Sequence, residues 1–301
     1  MEPLRFDGQV AVVTGAGRGV GRGYARLLAE RGASVVVNDL GVAPDGSGSS
    51  TEPAAQVVAE IRSAGGEAVA DNNSVAERSQ AQALIAHTLA EFGRIDILIN
   101  NAGFVNGGFE DLIDVNLRAA HWLTEAAWPS MSGQGYGRVL LTTSSSGLFG
   151  TASGPAYSPM QSYAATKMGV LGLGRCLAVR GRAVGIAVNM ISPHAGTRLV
   201  AGLEQNPKMA WVSRNSRPDL VAPAAAYLVH RSCPCNGEIF AAGAGRVAKI
   251  FIGETTGYVN RNLTIEDVVE HFAEINDEHG YHVPEDMDAV VDLYMKTVGG
   301  N

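Results

Sequence analysis

Through the first two-thirds of the chain, short β-branched and apolar runs alternate with longer stretches whose apolar positions recur every three or four residues. Val10–Val13, Ser34–Asn38, Glu67–Ala70, Ile95–Ile99, Arg138–Thr142, Ile186–Ile191 and Glu238–Ala241 read as strands. Most are nearly continuous in Val, Ile and Leu, as expected when helices cover both faces of a sheet. Val20–Arg31, Pro53–Ala64, Ala76–Phe92 and Ser162–Arg180 read as helices. Gly32, Gly65 and Gly93 follow three of them, where a residue at positive φ ends a helix well. Strand and helix in alternation build βαβ units. The expected architecture is α/β: a doubly wound parallel seven-stranded sheet with helices on both faces, spanning residues 1–245. Residues 246–301 read as a helical C-terminal extension with acidic amphipathic segments at Leu263–Ile275 and Pro284–Met295, the first starting at Thr264. The extension is too short for a core of its own and is expected to pack on the main domain or on a partner subunit.

Composition narrows the function classes. Apolar residues make up 46% of the chain and charged residues 18%, a globular balance. The net charge of −7 offers no basic field, so nucleic acid is not an expected partner. Runs such as Val10–Val13 and Ala224–Val229 fall far short of the ~18 apolar residues that span a bilayer, so no membrane is expected either. The first residues lack the basic and apolar blocks of a signal peptide, and the expected location is cytoplasmic. Cys176, Cys233 and Cys235 read as reduced thiols, and no metal site is expected.

Thr14-Gly15-Ala16-Gly17-Arg18-Gly19-Val20-Gly21 follows the first strand and leads into a helix. Glycines there permit a tight turn and close approach of the backbone to a pyrophosphate on the helix N-terminus. This makes the main unit a single Rossmann-fold domain. Asp39 ends the second strand, where a carboxylate accepts hydrogen bonds from ribose hydroxyls and repels a 2′-phosphate. Arg18 acts in the opposite sense, since a cation there suits a 2′-phosphate. With Asp39 in that corner the expected cofactor is NAD rather than NADP.

Tyr163 and Lys167 stand four apart on a helix, one above the other. A free phenol titrates at ~10, and a nearby ammonium favours its ionised form. Thr143-Ser144-Ser145-Ser146 puts hydroxyls at the carboxyl end of the fifth strand, where open α/β sheets bind ligands.

Taken in order, Thr14–Gly21, Asn100-Asn101-Ala102-Gly103, Asn116, Ser144 and the Tyr163/Lys167 pair resemble the short-chain dehydrogenase/reductase family over roughly residues 5–245. Arg5-Phe6-Asp7-Gly8, Val35–Gly41, Ser192–Gly196 and Asn236-Gly237 are similar to the dehydrogenase domains of multifunctional β-oxidation enzymes. The resemblance implies hydride transfer between a nicotinamide cofactor and a secondary alcohol or ketone, a (3R)-hydroxyacyl-CoA or a hydroxysteroid. It implies that Tyr163 is the acid/base and that Lys167 lowers its pKa and binds the nicotinamide ribose. Ser144 would hydrogen-bond the substrate oxygen, and Asn116 would hold a proton-relay water. Gly15, Gly17, Arg18, Gly19 and Val20 would cradle the phosphates, with Asp39 at the ribose and Asn73 and Ser74 near the adenine. Asn100, Ala102 and Gly103 would lie under the cofactor, and Pro193, Ala195 and Thr197 would line the nicotinamide. A homo-oligomer, tetramer or dimer, is implied as well, with Trp122, Trp128 and the Val170–Leu177 run as interface candidates.

Two spacings depart from the family. Ser144 and Tyr163 are unusually far apart, which enlarges the Thr151–Ser162 loop and adds a second tyrosine, Tyr157, with no lysine four residues later. The stretch from Gly103 to Asn116 is shortened. Both changes border the substrate, so a steroid, terpenoid or other bulky cyclic alcohol is the alternative substrate class. A cofactor-binding protein without turnover is the alternative of another kind, against which the intact Asn116, Ser144, Tyr163 and Lys167 set stands. His87, His121 and His194 are scattered, with no carboxylate–histidine pairing readable from the sequence.

Overall fold

A computed structural model of the chain describes residues 3–43, 47–105, 107–150, 159–197 and 206–298. The chain forms two compact units, residues 1–249 and 250–301.

In the first unit, β1 (Val10–Thr14), β2 (Ser34–Asn38), β3 (Glu67–Asp71), β4 (Ile97–Asn100), β5 (Gly137–Thr142), β6 (Ile186–His194) and β7 (Ile239–Gly243) pair in parallel. The sheet order is β3-β2-β1-β4-β5-β6-β7-β8. The eighth strand, β8 (Arg246–Ile250), was not expected. It joins β7 through Ala244 and Gly245, both at positive φ (50° and 79°), the signature of a two-residue hairpin turn. Its sequence hid it because an edge strand carrying Arg246 and Lys249 has no continuous apolar run.

Helices α1 (Gly19–Glu30), α2 (Glu52–Ser63), α3 (Arg78–Phe92), α4 (Phe109–Ile113), α5 (Ala119–Gln134), α6 (Ser145–Phe149), α7 (Pro159–Gly181), α8 (Pro207–Asn215) and α9 (Ala222–Leu228) complete the unit. A π-helical turn, Asp114–Arg118, leads into α5. The side chains of Tyr24, Ala25 and Leu28 on α1, Val57 and Ile61 on α2, and Ala225 and Leu228 on α9 form one core with Ala11, Val13, Val35, Val37, Ile97, Ile99, Leu140 and Ile191 of the sheet. Helix α7 starts at Pro159, earlier than expected, so the end of the enlarged loop is helical. Residues 151–158, with Tyr157, lie outside the described residues. Trp128, Val170, Leu171 and Leu177 are at most 6% exposed within this chain, and Trp122 is half-buried. Trp128, Val170, Leu171 and Leu177 therefore pack within this chain.

The strand order reverses between β1 and β4, which opens a crevice at their carboxyl ends. At the opposite ends, the buried Asp96 ties the sheet together. Its carboxylate accepts from Val10 N–H at 2.9 Å and from Arg94 at 2.7 and 2.8 Å. Its backbone N–H donates to Val10, and its carbonyl accepts from Arg138.

In the second unit, Thr264 caps α10 (Ile265–Glu270) by the reciprocal bonds Asp267 N–H to Thr264 Oγ1 and Thr264 N–H to Asp267 Oδ2. The single helix expected over 263–275 is broken at His271, whose ring stacks on Tyr258 at 3.7 Å, and resumes as α11 (Phe272–Ile275). Helix α12 (Met287–Thr297) starts at Met287 rather than Pro284, with Asp286 before it as the cap that accepts from Ala289 N–H. Ile265, Val269, Phe272 and Met287 are exposed. Among the described residues no helix is long and apolar enough to cross a membrane.

Asp96→Ala should lower stability by about 2–4 kcal/mol, because it leaves a buried N–H and a guanidinium without their acceptor. A urea midpoint unchanged from the parent would contradict this role.

Candidate active site

The glycine-rich loop turns from β1 into α1 at the crevice. Gly15 sits at φ 62°, and a Cβ on it would meet Ala102 Cα at 2.9 Å. A Cβ on Gly17 would meet Pro53 Cβ at 2.7 Å and Asp39 Oδ2 at 2.8 Å. Arg18, the residue before α1, supplies no side-chain cap, so the first-turn N–H groups face the crevice without a protein acceptor from that residue. An uncapped helix start above a cradle that only glycine fits suits a pyrophosphate. Val20 is buried behind the loop, and Thr197 lies over it, its Cγ2 3.5 Å from where a Gly19 Cβ would stand.

Asp39 stands at the rim of this cradle. Its carboxylate accepts from Gly17 N–H at 2.8 Å and from Gly41 N–H at 2.7 Å, which leaves lone pairs for ribose hydroxyls. Arg18 points to the same side, 3.4 Å from the Val42 carbonyl, and is exposed. Ser74 is committed to its own loop: its N–H donates to Gln80 and its hydroxyl accepts from Ala76 N–H. Asn73 is held by Asp71 through its backbone and side-chain nitrogens.

The catalytic candidates gather at the carboxyl end of β5. Ser144 caps α6, its hydroxyl accepting from Ser146 N–H at 3.2 Å. It is also hydrogen-bonded to the Tyr163 hydroxyl. Burial pushes the Tyr163 pKa up, and the Ser144 hydrogen bond draws it partly back. Lys167 is 3% exposed, and its Nζ donates to the Thr142 carbonyl at 2.9 Å. It lies 5.7 Å from the centre of the Tyr163 ring. Burial lowers its own pKa to about 8. The depression of Tyr163 expected from the ammonium is therefore not present in this arrangement, because Nζ is engaged by Thr142 rather than aimed at the phenol.

Asn116 lies in the π-turn, where a helix ladder is locally out of step. Its side chain is pinned to the backbone of Phe104, accepting from N–H at 3.2 Å and donating to O at 3.1 Å. Gly103 brings the two halves together: a Cβ there would stand 2.7 Å from Asn116 Oδ1 and 3.3 Å from Lys167 Nζ. A cavity of about 10 Å³, roughly one water, is lined by Thr14, Asn100, Asn116, Thr142 and Lys167 among others. Asn100 Oδ1 and Thr142 Oγ1 have no protein partner among the described residues. Asn100 is 7% exposed at the carboxyl end of β4. A groove of about 810 Å³ also runs along α1 past Arg22, Arg26 and Glu60, but it includes none of these hydroxyls.

Several contributors escaped the sequence reading. Asn101 ties β4 to the phosphate loop, donating through Nδ2 to the Thr14 carbonyl at 2.9 Å and through N–H to Thr14 Oγ1 at 3.0 Å. The doubled asparagine of Asn100-Asn101 was the available signal. His194, beside Pro193 and Ala195 at the end of β6, lies 2.9 Å from Ser145 Oγ, which in turn lies 3.0 Å from Ser192 Oγ. Burial, and then the charge of Arg246, lowers its pKa. His87 does have a carboxylate partner, Asp71 at 2.8 Å, which no sequence spacing marks, and His121 has Glu125 at 3.4 Å, an i,i+4 pair on α5 that the sequence reading passed over.

Lys167 carries a stability cost. Between pH ~8 and its ordinary ~10.5 the folded chain holds one proton fewer than the unfolded chain, so stability rises with pH across that window. Below pH ~8 the whole cost is present. Lys167→Met should therefore stabilise the fold at pH 7 by about 1–2 kcal/mol, after allowing for the lost hydrogen bond to Thr142. The gain should vanish above pH ~10.5. Thermal melts at pH 7 and at high pH read this, and a variant less stable than the parent at pH 7 would contradict it.

Residues 9–206 match the family model described as short chain dehydrogenase. The chain is 41% identical over 288 residues to the peroxisomal multifunctional enzyme type 2 of Drosophila melanogaster, covering 91% of this chain and 46% of that one. The full-length structure of that enzyme superposes with a TM-score of 0.75 at 34% identity, over 99% of this chain and 51% of the other. The chain thus spans about half the length of this relative. A short chain dehydrogenase from Mycobacterium avium superposes with a TM-score of 0.73 at 32% identity, over 91% and 95% of the two chains. Cyclohexanol dehydrogenase of an Acinetobacter species is 33% identical, over 75% of this chain and 89% of its own. The matched residues contain both the phosphate cradle and the pair of half-buried Tyr163 and buried Lys167, and the chain belongs to the short-chain dehydrogenase family, oxidoreductases that act on alcohols.

Proposed function

We propose that the chain is an NAD-dependent dehydrogenase that interconverts a secondary alcohol and its ketone, with a 3-hydroxyacyl-CoA as substrate. The observation that carries this reading is the cluster of Ser144, Tyr163 and Lys167 at the carboxyl end of β5, beside the glycine cradle. Likeness over 91% of the chain to a multifunctional peroxisomal enzyme favours the acyl-CoA class. The cyclohexanol dehydrogenase relative, matched over nearly its whole length, favours a cyclic alcohol as the second reading.

When bound, the nicotinamide supplies the hydride acceptor or donor. The chain's own residues handle the proton. Ser144 holds the substrate oxygen and Tyr163 takes the hydroxyl proton in oxidation, returning it in reduction. A phenol raised by burial is a poor base near neutrality. Its competence in this reading depends on the Lys167 ammonium leaving Thr142 and turning towards it when the nucleotide site fills. The one-water cavity beside Asn116 and Lys167 suits a relay that carries the proton away.

NADH formation against a panel of hydroxyacyl-CoAs, steroids and cyclic alcohols separates the readings. Tyr163→Phe should keep nearly parental NAD affinity and lose ~10²-fold or more in turnover, whereas Tyr157→Phe should act mainly on KM. The converse pattern would move the chemistry to Tyr157. Asp39 should make NAD bind more tightly than NADP in a fluorescence titration. Tighter NADP would assign that corner to Arg18.

A further inference from the structure

The segment Cys233-Pro234-Cys235 lies between α9 and β7 and carries two unbridged thiols. Pro234 is exposed at its middle, whereas Cys233 is 6% exposed within the core cluster and half-buried Cys235 packs against that cluster. With the middle residue turned out, both sulfurs face the same side of the chain. The two thiols are hydrogen-bonded to each other. Residues at this separation have Cα atoms at most ~7 Å apart, within the reach of a disulfide. The backbone around the pair is fixed. Cys233 N–H donates to the His230 carbonyl at 3.0 Å, and the Cys235 carbonyl accepts from Asn189 Nδ2 at 2.9 Å. Asn189 is buried in β6 and also accepts from Glu238 N–H at 3.2 Å. Asn236, next in the chain, accepts from Val188 N–H and donates to the Ala178 carbonyl, both at 2.9 Å.

Burial and the neighbouring Cys233 thiol push the Cys235 thiol above its ordinary range. Glu238 adds to this, and the Lys249 ammonium, 2.9 Å from Glu238, opposes it. The resting pair is therefore a protonated dithiol. Among the described residues no group of three or more His, Cys, Asp or Glu gathers to hold a metal ion. We propose that Cys233 and Cys235 are a redox dithiol, closed to an intrachain disulfide by exchange with a disulfide of the glutathione class. Cys235, the more accessible, loses its proton to solvent, and its sulfur attacks one sulfur of the external disulfide. A mixed disulfide forms, and the other half leaves as a thiolate that takes up a proton. Cys233 then loses its proton and attacks the Cys235 sulfur, expelling the second half as a thiol. Two cysteine thiols are oxidised, and one external disulfide is reduced to two thiols. A ring closed over a single residue is small, which puts this bond among the strained, readily reduced disulfides, so a reducing thiol pool reopens it. Neither thiol belongs to the Ser144, Tyr163 and Lys167 cluster, and the inference is independent of the dehydrogenase reading.

The test uses the full chain carrying Cys176→Ser, which removes the exposed third thiol. The folded, reduced protein is equilibrated in glutathione buffers, quenched in acid, alkylated and measured by mass spectrometry. The expected product is a single chain lighter by two hydrogens, free of glutathione, with the Cys233–Cys235 bond located by peptide mapping. Its fraction should rise from about a tenth to about nine-tenths over a roughly hundredfold fall in [GSH]²/[GSSG], and excess GSH should reverse it. Cys233→Ser should instead stop at a glutathione adduct on Cys235. Cys235→Ser should leave the buried Cys233 as a free thiol. If those variants fold poorly, phenylarsine oxide, which bridges two thiols, reads the intact pair: a single probe per folded chain, released by a dithiol and not by a monothiol. Products that stop at glutathione adducts while both cysteines are present would overturn the proposal. So would thiols unchanged in the most oxidising buffer, or a disulfide that appears only after circular dichroism shows loss of the fold.

Discussion

A buried ammonium held by one backbone carbonyl organises the active half of this protein. Lys167 reaches from α7 to the last carbonyl of β5, Thr142, and Thr143 answers by donating its hydroxyl to the Lys167 carbonyl at 2.7 Å. The two bonds lock helix to strand beside the Ser144 and Tyr163 hydroxyls. The close packing that follows leaves no room for a side chain at Gly147, where a Cβ would stand 2.9 Å from the Ala164 carbonyl and the Met168 nitrogen. Ser144 is thereby set against Tyr163 within the same junction. Desolvation of the charge opposes folding, and the apolar sheet beneath offsets it.

The nucleotide half is built separately and then knitted to this junction. Thr14 is the knot. Its Oγ1 accepts from the N–H groups of Asn101 and Ala102, both at 3.0 Å, which fixes β4's exit against the phosphate loop. Gly103, the next residue, carries that alignment to Asn116 and Lys167. The glycine cradle and the Ser144, Tyr163 and Lys167 cluster thus meet along one edge of the sheet.

The sequence displayed what depends on repeated or contiguous signals. Continuous apolar runs marked the seven parallel strands, and the order of motifs from Gly15 to Lys167 marked both halves of the site. Boundaries at β4 and β7 shifted by about two residues, within the usual fraying of such limits. What stayed hidden is set by tertiary contact. An edge strand such as β8 needs no apolar run, and the break falls at His271, whose ring stacks on Tyr258. Asp71 and His87, sixteen residues apart, meet only through the tertiary fold. The engagement of Lys167 by Thr142 is the most telling case. Four-residue spacing puts Tyr163 and Lys167 on one helix face, but a nearby carbonyl, not the spacing, decides where the ammonium points.

The proposed reading turns on that ammonium, which donates to the Thr142 carbonyl here and, on the proposal, turns to the Tyr163 phenol when the nucleotide site is filled. Ultraviolet difference titration of the parent against Tyr163→Phe isolates the ionisation of this one phenol. The account predicts titration above the ordinary ~10 in the free protein, and a downward shift on adding NAD that is lost in Lys167→Met. A Tyr163 that ionises at or below ~10 without nucleotide, or that shifts equally in the absence of Lys167, would contradict it.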